Sequence, residues 1–207
     1  MRRMLVYFLT LTAFGLNWMP SSWAQENSEH KTAALPAAAP TSGFRAEFLE
    51  EIAYYEQRYT RLAEAMPAEK YTWRPAEGVR SVGEVFTHIT AANYGIAGAL
   101  GTAPPTGFDP KAITALSANK PKVLQALKDF FAHFRSAIMA LNEADADKPQ
   151  KMFNRSTTLR GSFIAITGHF GEHLGQSIAY ARVNGLVPPW TEDFQKQQQK
   201  PADKPKP

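Results

Sequence analysis

His169-Phe170-Gly171-Glu172-His173-Leu174-Gly175-Gln176 lies inside the run from Thr158 to Asn184. That run reads as one long helix, closed by Gly185 and stopped by Pro188-Pro189. At about 100° per residue, His169 and His173 stand one turn apart on a single face, with Ser162, Ile166, Gln176 and Tyr180 aligned with them. Phe163, Phe170, Leu174 and Ile178 fill the adjoining arc, so the two histidines border the apolar stripe. Imidazoles at i and i+4 can grip one metal ion, because successive turns bring their ring nitrogens together. Two ligands rarely complete a site, so a third must come from elsewhere.

Upstream of this helix, three further segments carry helical periodicity. In the first, Phe44, Phe48, Ile52, Tyr55, Tyr59, Leu62 and Met66 share one narrow arc, with Thr41 or Ser42 available as cap and Pro67 as stop. An aromatic stripe at this spacing is read as core. The second opens with Ser81-Val82-Gly83-Glu84, a capping box, and runs to about Leu100, with Val85, Ile89, Ala92, Ile96 and Leu100 inward. Gly95, Gly98 and Gly101 weaken its far end. The third starts between Asn119 and Pro121 and repeats Leu124, Leu127, Phe131, Phe134, Ile138 and Leu141 at spacings of three and four.

Connections separate these helices. Ala68 to Arg80 carries turn residues, with Trp73 read as a plug at the end of the core; Gly101 to Ala118 reads as a long loop. Glu143 to Ser156 reads as a polar connection. No strand-length alternation, internal repeat or glycine-rich phosphate loop is apparent. The sequence predicts an all-α four-helix bundle over residues 41–190.

The ends read differently. Arg2-Arg3, the apolar run Met4 to Leu16 and Ser22-Trp23-Ala24 have the three parts of a secretory signal peptide over 1–24, cleaved before Gln25. The apolar run is too short for the roughly 20 residues of a spanning helix, so no stable membrane anchor is expected. An exported, periplasmic or extracellular, protein follows. Residues 25–40 are Ala/Pro-rich and read as a disordered linker, and 191–207 as a disordered tail rich in Gln, Lys and Pro.

The 207-residue chain, 44% hydrophobic, can bury one real core. It contains no cysteine, which excludes disulfides, thiolate ligands, thiol nucleophiles and a lipoprotein anchor. The formal charge of +4 falls further once Arg2 and Arg3 are removed, too small and scattered to argue for nucleic acid.

Of five histidines, His30 falls in the linker and His133 points away from its helix's seam, toward solvent. His88, His169 and His173 remain, all flanking buried stripes on two helices. Taken singly, each would more often be a core-edge histidine; three together point toward a shared metal site.

Two motifs carry a resemblance. Tyr71-Thr72-Trp73-Arg74-Pro75 followed by Ser81-Val82-Gly83-Glu84 and His88 resembles the DinB/YfiT-like superfamily. So does His169 to Gln176 followed by Tyr180, Arg182, Gly185 and Pro188-Pro189. The resemblance spans nearly all of 44–190. It implies a four-helix bundle with a divalent ion, often zinc or nickel, on three histidines, and carries His88, His169 and His173 over as metal ligands. It also implies activities such as transfer of low-molecular-weight thiols, including a thiol-dependent maleylpyruvate isomerase, and is compatible with a homodimer that no spacing in the chain specifies.

Three neutral imidazoles leave a coordination position open, which suits a catalytic site, and nitrogen-only ligation fits zinc, nickel or iron. Glu84, one turn before His88, Gln176, one turn after His173, and Tyr180 beyond it are candidates to orient ligands or meet substrate. Glu84 reads first as a cap, and Gln176 equally as a buried hydrogen-bond partner. His169-x-x-Glu172-His173 also spells an inverted zinc-protease signature, but only Glu192, Asp193 and Asp203 remain downstream as a further carboxylate ligand. An exported location favours a metal-dependent hydrolase over a transferase of cytosolic thiols, with a non-catalytic metal-binding or stress-associated protein as the alternative. No catalytic residue or substrate, a small molecule on either enzymatic reading, is specified.

Overall fold

The computed structural model describes residues 38–199. The expected signal peptide, His30, most of the linker and the last residues of the tail lie outside that range. Four long helices, α1 (Phe44–Ala65), α2 (Val82–Ala99), α4 (Lys120–Ala140) and α5 (Leu159–Val183), carry the fold. Between them lie the short α3 (Pro110–Ala115) and a hairpin of β1 (Pro149–Met152) and β2 (Arg155–Thr158), and α6 (Pro189–Gln198) follows. Both α1 and α2 pack against both α4 and α5, so α1 and α2 lie diagonally across a four-helix bundle. No helix among the described residues is long and apolar enough to cross a membrane.

The apolar stripes meet in one core. All seven residues expected inward, six in α1 from Phe44 to Leu62 and Met66 at its C-cap, are buried. They meet Val85, Phe86 and Ile89 of α2, Leu127, Phe131 and Phe134 of α4, and Ile166 and Phe170 of α5. The centre is a stack of rings, with Phe170 5.2 Å from Tyr55 and 5.9 Å from Phe131. Tyr59 is fully buried yet donates its hydroxyl to the Phe170 carbonyl at 2.7 Å, and Tyr55 donates to Thr167 O at 3.1 Å. Burial holds both phenols above their ordinary pKa, Tyr55 also through Glu51 and Tyr54 and Tyr59 also through Tyr55, so they remain neutral donors. Two side chains of α1 thereby fix the backbone of α5 on either side of His169.

Helix ends follow the chemistry of their residues. Ser81 accepts from the Glu84 amide while Glu84 accepts from the Ser81 amide, a complete capping box. Both α2 and α5 end in Schellman motifs. Thr102 N–H reaches Ala97 O around Gly101 (φ 99°), and Leu186 N–H reaches Ala181 O around Gly185 (φ 78°). Of the three glycines near the end of α2, Gly101 therefore terminates the helix, while Gly95 and Gly98 are accommodated within it.

Several expectations are corrected. The connection at 143–156 contains β1, the hairpin turn and the start of β2, so the domain is not purely α; the turn has Phe153 and Asn154 at positive φ (49° and 61°). The two-residue turn matches the twist of short strands without the Asn-Gly signature that would announce it. Residues 110–115, expected as loop, form α3, started by the Asp109 side chain and Pro110 at the first position. The tail expected from residue 191 is helical to Gln198, tied back by an Arg61–Asp193 ion pair (2.7 Å) and by Arg58 over the Trp190 ring (4.3 Å).

The start of α1 is corrected too. Neither Thr41 nor Ser42 caps it. Glu143, just beyond the end of the neighbouring helix α4 and 99 residues away in sequence, accepts from the Phe44 amide (2.6 Å) and pairs with Arg45 (3.1 Å). A local capping pattern cannot reveal a cap supplied by tertiary contact. His133 is half-buried rather than solvent-facing, because Tyr94 of α2 covers its ring at 5.0 Å.

Candidate metal centre

His88 stands on the inward-turned edge of α2, beside fully buried Thr87 and Ile89. His169 and His173 stand on α5, on either side of buried Phe170 and one turn apart. The α2–α5 contact brings them together. Ring centroids lie 5.7 Å apart for His88 and His169, 4.7 Å for His88 and His173, and 4.9 Å for His169 and His173. One ring nitrogen from each lies within 4.8 Å of the others, and all three residues are half-buried. Zinc–imidazole bonds are about 2.0–2.1 Å long, so a single ion can reach the three rings with small rotations.

The electrostatics keep the cluster ready for a cation. Burial lowers the His88 pKa to about 4, helped by the Arg80 charge and by the other two imidazoles. His169 is lowered by burial and His173, with Glu172 opposing and Arg80 adding to the fall. Both rings are therefore neutral at pH 7, the form that ligates metal. Nδ1 of His169 is buried with no hydrogen-bond partner among the described residues, a cost that a ligand or ordered water at this point would relieve. The donor set and the orphaned nitrogen both fit a divalent ion.

The surroundings sort the remaining candidates. Gln176 Oε1 lies 3.0 Å from Nδ1 of His173, and Gln176 Nε2 donates to Tyr180 OH at 2.9 Å. Tyr180 is buried, and Trp73 meets its ring edge-on at 5.4 Å, so Trp73 props this chain instead of merely plugging the core. Glu84 is spent on Ser81 and on Arg74 (3.1 Å). The Ser81 backbone hydrogen bond leads the causes that lower its pKa, against a smaller opposing effect of burial, with Arg74 reinforcing it. It lines the groove below His88 without bonding that ring.

The protease-like alternative finds no carboxylate. Asp193 pairs with Arg61 and Glu192 with Lys196, and no acidic residue joins the three histidines among the described residues. Asp203 lies outside them.

Two open grooves reach the cluster. One, of about 360 Å³, is lined by Arg74, Val79, Arg80, Glu84, His88 and Thr114. The other, of about 420 Å³, is lined by Phe153, Arg155, Ile164, Gly168, His169 and Glu172. Arg80, Phe153 and Arg155 carry no sequence signal. Arg80 sits in a turn before a capping box, and the other two in a hairpin that the pattern does not announce.

The family model for the DinB superfamily matches residues 52–177. Among solved structures, a DinB-like protein from Bacillus cereus ATCC 10987 is similar with a TM-score of 0.60 and 18% identity, over 69% of this chain and 93% of that one. A DinB-like protein from Bacillus subtilis is similar with a TM-score of 0.52 and 21% identity, over 68% and 93% respectively. No curated protein matches the sequence.

Proposed function

The chain belongs to the DinB superfamily, and from that premise we propose an exported metalloprotein that binds zinc or nickel through His88, His169 and His173 and catalyses hydrolysis or group transfer on a small molecule. The observation that carries this reading is the convergence of three imidazole nitrogens within 4.8 Å from two helices. Three neutral ligands leave room for a further group, and a divalent ion held there supplies Lewis-acid activation of a nucleophile or of a substrate carbonyl.

The chain's own residues prepare the site. Gln176 orients the His173 ring, and burial holds His88 and His169 in the basic form. The grooves beside His88 and His169 are lined by charged side chains and are open to solvent, which supports turnover over a sealed structural site. The leader-like pattern at 1–24 supports export.

The test is elemental analysis of the purified mature protein beside His88→Ala and His173→Ala variants, followed by assay of the metal-loaded protein on ester, amide and thiol-transfer substrates. About one divalent ion per wild-type chain, lost in both variants, is the expected result. Equal metal content in all three proteins removes the ligand assignment.

A further inference from the structure

The groove beneath His88 carries a cation with nothing to neutralise it. Arg74 and Glu84 satisfy each other across its wall, and Arg74 also donates to Val79 O at 3.0 Å. Arg80 has no such partner: among the described residues its guanidinium makes no ion pair and no hydrogen bond. Its backbone, by contrast, is held. Val79 N–H bonds Ala76 O around Gly78 (φ 74°), and the next residue, Ser81, is locked in the capping box. A long exposed cation on a fixed stem therefore shares a groove with His88, while Arg45, Arg61, Arg74, Arg135 and Arg160 are each matched by a carboxylate. Its charge reaches both His88 and His169.

Charge balance says what belongs there. Three imidazoles add no negative charge, so an ion on them keeps its full 2+ and Arg80 adds another positive charge beside it. Glu84 is already matched by Arg74, and Glu172 lines the other groove. The groove itself offers one free guanidinium and little else: the Thr114 hydroxyl donates to Pro110 O at 2.9 Å. One planar fork suits one planar carboxylate, bound through two parallel hydrogen bonds, whereas a phosphate dianion calls for more donors than this groove holds.

We propose that the substrate of this site bears a carboxylate, received by Arg80 in the groove between α2 and the 74–80 turn, with its reacting end at the histidine cluster. The second half of that statement rests on the metal reading above; the Arg80 contact does not. Arg80 is thus assigned as a substrate-binding and specificity-determining residue.

The experiment compares N-acetylglycine with its neutral counterpart N-acetylglycinamide, titrated into the protein and followed by NMR shifts of the His88 ring and the 78–81 amides. It is run metal-loaded and after chelation, on wild type, Arg80→Gln, Arg80→Lys and, as a control in the other groove, Arg155→Gln. Saturable binding of the acid alone is expected, weakened about 10-fold or more by Arg80→Gln, less by Arg80→Lys and little by Arg155→Gln. After chelation the acid should bind more weakly but with the same dependence on Arg80. No saturable binding, equal affinity for acid and amide, or an unchanged affinity in Arg80→Gln overturns the assignment. Arg80-dependent binding in a protein that takes up no metal instead removes the metal reading and leaves this one standing.

Discussion

The side-chain amide oxygen of Gln176 lies 3.0 Å from Nδ1 of His173, one turn earlier on the same helix. An amide oxygen only accepts, so Nδ1 carries a proton, and in the neutral ring that ligates metal the free lone pair is then on Nε2. Tyr180 holds the other end of the amide at 2.9 Å, and Trp73 holds Tyr180. The tautomer of a candidate ligand is therefore set by three residues that need not touch metal.

Gln176→Leu keeps the volume and removes that acceptor. Metal affinity is expected to fall about 10- to 100-fold, the usual effect of deleting a partner behind a histidine ligand. Competition against a chromophoric chelator measures it. Tyr180→Phe, which removes only the outer hydroxyl, should cost less. A Gln176→Leu protein with wild-type affinity would show that the ring is oriented by packing alone.

Acid should destabilise the metal-free protein through the same cluster. His88 titrates near 4 when folded, because of burial, Arg80 and its two neighbouring rings, against 6.5 for an ordinary imidazole. Below about 6.5 the unfolded chain binds the proton that the folded chain refuses, so this contribution is whole above that pH and is lost as pH falls toward 4. Half-burial and solvent screening keep it modest. Denaturant titrations of chelated protein should show wild type losing more stability than His88→Gln between about pH 7 and 4.5. Parallel losses would place the acid sensitivity elsewhere.

Much of this was legible in residue order, and the parts that were not share a cause. The α1 stripe, the Ser81–Glu84 box, the Gly185 stop and the i, i+4 histidines are local patterns whose spacing states their geometry. The cap that Glu143 supplies to Phe44, the cover that Tyr94 places on His133 and the position of Arg80 beside His88 depend on which surfaces meet. α3 lies between these cases: Asp109-Pro110 is a helix start in plain sight, but six residues are too few for periodicity to register.

Gly83 tests the contact between α2 and the segment after α3. A β-carbon built there would lie 1.8 Å from the Ser117 carbonyl oxygen and 2.8 Å from its carbon, both backbone atoms. The Gly83 amide is also tied to Tyr71 O at 2.9 Å, so the helix start cannot slide away. Gly83→Ala, normally favourable inside a helix, should here destabilise by about 2 kcal/mol or more. Equilibrium unfolding in urea reads it directly. A neutral or stabilising result would mean that the 115–119 segment yields easily.

Phe153 holds the most unfavourable backbone conformation near the cluster. Its φ of 49° is a left-handed geometry that a bulky side chain adopts at a cost of roughly 1–2 kcal/mol. The ring gains little burial in return: it is 48% exposed and lies 5.6 Å from the His169 ring. The hairpin turn demands the positive φ, but a bulky ring kept at that position with so little packing points to a role for the ring in lining the groove. Phe153→Gly relieves the strain and forfeits only a half-exposed contact, so the variant should be more stable than wild type, by about 0.5–1 kcal/mol. Thermal unfolding measures that sign. The same variant, metal-loaded, should lose activity on any substrate with an apolar body, through KM more than kcat. A Phe153→Gly protein that melts lower than wild type would mean that the contact with His169 outweighs the strain, and that the hairpin tip holds the cluster together instead of lining it.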